Sequence, residues 1–203
     1  MRTGRVIGLL LIGIQVASAN PAPAISWQAD RPLTWADFQG PVPRTARKER
    51  VAATAASLSW SYEYEVQWSP GDCTYEITHI DTSALFDPGS SWVRPGHRTD
   101  AVLQHEQGHF DIAQIFEQKL RVRSRELVRV KRDCRGRSAR QANRHAESAA
   151  ADLVGQVFDQ LWREYQDRQE SYDRDTRHGI DRAAQAAWTL DIKAAIQTVF
   201  PNN

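Results

Sequence analysis

Between Leu58 and Val66 apolar and polar residues alternate without exception: Leu58, Trp60, Tyr62, Tyr64 and Val66 fall on one side, Ser59, Ser61, Glu63 and Glu65 on the other. A period of two predicts a half-buried strand. Ser69-Pro70-Gly71-Asp72 is a turn cluster and Thr74 to Ile80 is rich in β-formers, so the two runs predict an antiparallel hairpin. Asp87-Pro88-Gly89 marks another turn, and Ser91 to Val93 is expected as a further extended segment pairing with the hairpin. Upstream, Leu33-Thr34-Trp35-Ala36-Asp37-Phe38 sits between proline-bearing stretches and reads as an ordered loop or short helical turn whose aromatic residues anchor a core.

The period then changes. Leu103, Phe110, Ala113, Phe116, Leu120 and Leu127 recur at helical spacing, which predicts a long amphipathic helix opening at Thr99 or Asp100 and stopped by Gly136. Ser138 with Gln141 three residues on suggests a capping box for a second helix, whose apolar stripe is Ala142, Ala146, Ala149, Leu153, Val157 and Leu161. A polar break from Ser171 to Gly179 precedes a last helix from Ile180 or Asp181, with Ala184, Ala187 and Trp188 facing inward. The expected fold class is therefore α+β: an N-terminal antiparallel β-hairpin or small sheet, a long helix, then further C-terminal helices.

The first residues change where this fold would work. Arg2 and Arg5 precede an apolar run from Val6 to Ile14, and Ala17-Ser18-Ala19 has the small-x-small pattern of a signal-peptidase site. Residues 1–19 read as a signal peptide cleaved after Ala19, and 20–203 as a single domain, periplasmic or secreted, with no membrane span in the mature form. The apolar run is far shorter than the ~20 residues of a spanning helix. Cys73 and Cys134 are the two cysteines, and an even count in an exported chain predicts one disulfide between them. Net charge is only +1, which argues against a bulk polyanion binder, and no nucleic-acid partner is expected. Charge is nevertheless uneven, with ten basic residues against two acidic from Arg121 to Arg144 and nine acidic against four basic from Glu147 to Asp181. Such runs most simply mark solvated helix faces.

The chemistry concentrates in His105-Glu106-Gln107-Gly108-His109. At about 3.6 residues per turn, two histidines four apart share one helix face and can bind one zinc ion, while a carboxylate beside the first reaches an attacking water. His105 and His109 are thus candidate ligands for one Zn2+ per chain, and Glu106 the candidate general base. A third ligand is needed. The elongated pattern with a third histidine six residues on is absent, since Ile112 and Ile115 occupy its glycine and histidine positions. His178, in the polar break, is the first candidate; Glu147 on the second helix is another; Asp173 is expected either to bind the metal or to support a ligand histidine. Tyr172 is the candidate donor to an oxyanion, with His97 and His178 in reserve. His79 on a strand and His145 on a polar helix face read as structural or solvent residues.

Three blocks, Leu33-Thr34-Trp35-Ala36-Asp37-Phe38, His105-Glu106-Gln107-Gly108-His109-Phe110-Asp111, and Tyr172-Asp173 with Thr176, His178 and Gly179, together resemble the signature of a bacterial domain-of-unknown-function family described as secreted HExxH zinc-dependent proteases. The resemblance spans nearly all of the mature chain and implies a zincin-like domain with His105 and His109 on zinc and Glu106 catalytic. The expected function is a secreted metalloprotease that hydrolyses peptide bonds of a peptide or protein substrate through a zinc-activated water, the strand Thr74 to Ile80 holding substrate by edge pairing. The alternatives are a non-catalytic zinc-stabilised periplasmic binding protein, an amidase on cell-wall peptides, and a zinc-free helical interaction protein.

Overall fold

The computed structural model describes residues 2–6 and 22–199. Its elements run β1 (Arg2–Val6), β2 (Ile25–Ser26), β3 (Ala52–Ala53), β4 (Ala56–Ser69), β5 (Asp72–Phe86), β6 (Trp92–Val93), α1 (Asp100–Arg125), β7 (Arg132–Asp133), α2 (Ala139–Thr176) and α3 (Arg182–Val199). The described residues are α+β, with a small antiparallel sheet and three helices. The leader expected over 1–19, with its cleavage point, lies outside the described residues except for β1, whose backbone pairs antiparallel with β4, Arg2 opposite Val66 and Val6 opposite Tyr62. No helix among the described residues is long and apolar enough to cross a membrane. The chain divides into two compact units, one of Met1–Leu11, Ser59–Thr82 and Gln118–Arg163, the other of Ile12–Leu58, Ser83–Glu117 and Glu164–Asn203.

In the first unit the alternation along β4 does what its period dictates. Tyr62 and Tyr64 are buried with Tyr75 and Ile77 of β5 against Ala146, Ala150 and Val154, four residues apart on one face of α2. The two alanines leave room for the tyrosine rings, and Tyr62 and Tyr64 each have a polar partner for the hydroxyl. Tyr64 Oη accepts from Asn143 Nδ2 (3.3 Å) and Tyr62 Oη donates to the Glu147 carbonyl (3.4 Å). Burial pushes the Tyr62 phenol up to about 12, so it stays neutral. Cys73 and Cys134 form the expected disulfide, with Cα atoms 5.0 Å apart and a sequence separation of 61. Closing such a loop stabilises by about 4 kcal/mol on the chain-entropy model.

The first helix ends earlier than predicted, at Arg125 rather than Gly136. Leu127 and Val128 leave it to pack against the tyrosine cluster, Val128 bridges to Ile77, and Arg129, with φ 62°, donates its amide to the Ile77 carbonyl (2.8 Å). The hairpin offers burial that one more helical turn would not. Gly136 instead lets the chain pass close to the start of α2, where a Cβ would meet Ala142 N at 2.3 Å. The cap of α2 is close to the expected box: Ser138 Oγ accepts from Gln141 N (3.4 Å), while Gln141 Oε1 accepts from Arg137 N (2.9 Å). Part of the basic run is internal scaffolding, since Arg132 donates to the carbonyls of Leu127 and Val130 and Arg129 reaches Glu76.

The second unit is organised around α1. Phe38, Phe86 and Phe110 pack in series, with ring centroids 5.2 and 5.7 Å apart. The Leu33 to Phe38 block is the short turn foreseen: Thr34 N donates to Asp37 Oδ2 (2.8 Å), and Leu33 and Phe38 are buried. Two polar positions of the motif helix hold this N-terminal stretch, Gln107 Oε1 accepting from Leu33 N (2.7 Å) and Asp111 Oδ1 accepting from Trp27 Nε1 (2.8 Å). Trp92 and Val93 do not pair with the hairpin as expected; they pair with Ala53 and Ala52. The tight turn on Asp87, whose Oδ1 accepts from Gly89 N, and the Ser91 Oγ bonds to Asp87 O and Ala55 N set that direction.

The break expected over Ser171 to Gly179 shrinks to a few residues, because α2 continues to Thr176. Tyr165, Tyr172 and Thr176 are buried, so the inward stripe persists beyond Leu161 with hydroxyl-bearing residues in place of aliphatic ones. Arg177, His178 and Gly179 then turn the chain with φ of 50°, 55° and 82°. Asp181 caps α3 by accepting from Ala183 N and Ala184 N (3.1 and 3.0 Å). The inward face of α3 carries Gln185, Trp188 and Ile192, whereas Ala187, predicted to face inward, is exposed.

Candidate metal centre

Four residues of one helix place His105 and His109 on the same face of α1, and the last full turn of α2 brings Asp173 to them. His105 Nε2 and His109 Nε2 are 3.2 Å apart, and Asp173 Oδ1 lies 3.1 Å from the first and 3.0 Å from the second. These three ligand atoms lie within 4.8 Å of one another, close enough to hold a metal ion. Both histidines are buried and the Asp173 side chain is 21% exposed, so the cluster opens on one side only. That side is a cleft lined by Arg50, Val51, Ala52, Val102 and His178.

Burial works to raise the Asp173 carboxyl, yet hydrogen bonding to His105 and His109 holds it far below the usual carboxylate range. Burial works against the charged form of His109, yet hydrogen bonding to Asp173 and the Glu106 charge leave its imidazole above its ordinary value. Carboxylate and imidazole are thus both pushed toward their charged forms. Glu106, itself buried, has one carboxylate oxygen, Oε2, with no hydrogen-bond partner among the described residues. A buried acceptor left unpaired costs about 1–3 kcal/mol unless something else meets it. Two imidazoles, a carboxylate and this orphaned oxygen fit a metal site better than a closed protein core.

Around this trio lies a second layer that the residue types did not announce. Gln169 Nε2 donates to the His109 carbonyl (2.9 Å) and its Oε1 meets His109 Nδ1 (2.5 Å). Gln185 Oε1 meets His105 Nδ1 (3.1 Å) and its Nε2 donates to Tyr172 Oη (2.7 Å), which in turn donates to the His105 carbonyl (3.1 Å). The Tyr172 ring stacks on His105, centroids 4.7 Å apart. Gly108 makes this possible, since a Cβ there would stand 2.2 Å from Tyr172 Oη. Gly179 does the same on the other side, where a Cβ would come 2.9 Å from the His105 Cβ.

Several expected roles move. The third position in the trio is Asp173; His178 Nδ1 lies 3.1 Å from the same Oδ1, which can only accept, on a side chain 53% exposed in the left-handed turn beyond the helix. Helix phase explains this: once α2 runs on to Thr176, Asp173 points with Gln169 toward α1. Tyr172 is no oxyanion donor, because it is fully buried and its proton is committed to the His105 carbonyl. Glu147 sits about seven turns earlier on α2, in the first unit, and does not join the trio. The strand Thr74 to Ile80 is no free edge, since Thr74 and Tyr75 pair with β7 and Ile77 bridges to Val128. His97 and His145 are exposed, and His79 pairs with Asp81 (2.9 Å).

Compared with known proteins, the chain matches no family model, no curated protein and no solved structure.

Proposed function

We propose that the chain is an exported zinc-dependent hydrolase of peptide bonds with a zincin-like second unit. The observation that carries this reading is the convergence of His105 Nε2, His109 Nε2 and Asp173 Oδ1 beside the unpartnered, buried Glu106 oxygen. The three signature blocks support it as well, since all three lie in the second unit. The leader pattern and the disulfide support export, because such bonds persist in oxidising compartments.

A zinc ion held by His105, His109 and Asp173 would supply Lewis acidity, polarising the scissile carbonyl and making water a competent nucleophile near neutral pH. The rest is the work of the chain. Glu106, one residue beyond the first histidine, presents Oε2 to take the proton of the attacking water and hand it to the leaving amine. Its burial limits the access of bulk water to that oxygen. Val51 and Ala52 line the cleft next to β3, a position from which backbone groups can meet an extended peptide, and Arg50 and His178 supply polar donors at its rim.

Elemental mass spectrometry of the purified protein, with peptide-library hydrolysis by wild type and Glu106→Gln, tests the reading. One zinc per chain in both proteins is expected, with hydrolysis falling by about 10²–10⁴-fold in the variant. Hydrolysis unchanged in Glu106→Gln removes the general-base role, and absence of zinc after reconstitution removes the metal. One observation favours a second reading, a closed zinc site in a binding protein: His178 already stands 3.1 Å from Asp173 Oδ1. Zinc retained without hydrolysis, and lost in His178→Ala, would select it.

A further inference from the structure

One wall of the cleft that opens on the trio is Arg50, Val51 and Ala52. It follows a segment, Arg44 to Arg50, in which four cations stand against one carboxylate, Glu49. A run of like charge outside helix and sheet has little reason of its own to hold one shape. This one is pinned from outside. Arg94 spends its donors on it: the amide on the Val51 carbonyl (2.7 Å), Nε on that of Arg50 (2.9 Å), and Nη2 on those of Ala46 and Arg47 (3.2 Å each). The Arg94 guanidinium also lies over the Trp92 ring, 5.7 Å from its centroid. Arg50 adds a bond of its own, donating its amide to the Arg47 carbonyl (3.1 Å).

Both main-chain groups of Arg50 are therefore used within this loop, and what the residue offers the cleft is its side chain. Among the described residues that exposed guanidinium has no ion pair and no hydrogen-bond acceptor, Glu49 included. The other basic group at the rim, His178, is turned to Asp173 Oδ1 at 3.1 Å. A planar fork with its donors unspent fits a carboxylate through two parallel bonds. Such a group is repelled from the buried end of the cleft, where Glu106 and Asp173 stand, and belongs at the mouth beside Arg50.

Resting on the hydrolase reading, we infer that the cleft selects peptides carrying a carboxylate at one fixed position beside the bond held at the trio, with the Arg50 guanidinium as the residue that determines this specificity. The carboxylate has two sources, an Asp or Glu side chain or a free C-terminus. A loose surface arginine attracts anions without register. The pinned loop fixes where along a bound peptide the charge acts.

The test uses the full zinc-reconstituted chain and short peptides, blocked at both ends, in which a single Glu or Gln is moved through every position; a second set compares a free C-terminus with its amide. kcat/KM is read for each pair. Binding of the same pairs to Glu106→Gln, alone and combined with each Arg50 change, is read by fluorescence polarisation, so preference is measured with and without turnover. Glu is expected to exceed Gln about tenfold at one position only, or the free acid to exceed the amide by as much if the C-terminus is the source. Arg50→Lys should keep part of the preference, because it retains the charge and loses the fork. Arg50→Glu should reverse it in favour of Lys at that position, or of the amide over the free acid. Each comparison is a ratio within one protein, so a change in overall rate or stability does not enter it. The inference is overturned by no acidic preference at any position or terminus, by equal preference at every position, which is bulk attraction to the neighbouring cations, or by a preference that Arg50→Glu leaves in place. Acidic preference in binding without hydrolysis by the wild type leaves the selection standing and removes the hydrolase reading; hydrolysis without acidic preference does the reverse.

Discussion

Tyr62 and Tyr172 are both buried tyrosines, one in each compact unit, and they do different work. Tyr62 belongs to an apolar cluster of rings and alanines, and its hydroxyl makes one long bond of 3.4 Å to a carbonyl. Tyr172 is held at both ends, by a 2.7 Å bond from Gln185 and a 3.1 Å bond to His105, and its ring is clamped between His105 and Trp188. The first unit is stabilised by area and by a covalent bridge, which tolerate small displacements. The second depends on particular donors meeting particular acceptors, where an unmet group costs more than a met one gains.

The comparison breaks most visibly at the disulfide. Cys73→Ser with Cys134→Ser is expected to lower unfolding free energy by about 4 kcal/mol in urea titration. Hydrogen exchange should place the new opening in Ser59–Thr82 and Gln118–Arg163, and equal loss of protection around His105 would show that the two units do not differ in this way. Next comes Gly108→Ala, a single methyl in the polar unit. With its Cβ 2.2 Å from Tyr172 Oη and 2.6 Å from Cζ, it should cost about 1–3 kcal/mol by overpacking. Calorimetry of the variant decides: a melting temperature at the wild-type value would mean that Tyr172 is not clamped.

The smallest expected effect sharpens the comparison by pH. Burial alone would raise the Asp37 carboxyl, but the Thr34 amide and Arg31 bring it below its ordinary value. A carboxyl depressed in the folded state adds stability that is fully present above the unfolded value, about 3.9, and is lost as pH falls through the lower folded value. Asp37→Asn should therefore cost stability at pH 6, by about 1 kcal/mol, and progressively less toward pH 2. Identical losses at both pH values would show that the turn is held by shape and not by charge.

Much of this was legible in the chain. The strict alternation from Leu58 to Val66 foretold β4, and the i, i+4 histidines foretold the face that α1 turns to the cluster. The paired cysteines foretold their bond. Around the cluster, what escaped the sequence had a polar signal. From Ser171 to Gly179 all but Tyr172 and Gly179 are polar, so the end of the helix that carries Asp173 into the trio read as a break, and with it the third ligand fell to His178. Gln169 and Gln185 carry no chemistry of their own, and only their distance from the ring nitrogens gives them a role. The strands Ala52–Ala53 and Trp92–Val93 are too short to show any period.

One more feature joins these threads. The carbonyl of Glu106 also receives a side-chain donor, Thr54 Oγ1 at 3.1 Å, as those of His105 and His109 receive Tyr172 and Gln169. Within a helix each of these oxygens also faces the amide four residues on, so a single turn carries three carbonyls with both lone pairs engaged. A doubly bonded-to oxygen draws electrons from its carbon and softens the C=O stretch. Carbon-13 labels at residues 105, 106 and 109 would therefore vibrate below the rest of the helix band, giving this turn an infrared signature of its own that reports its assembly as the chain folds.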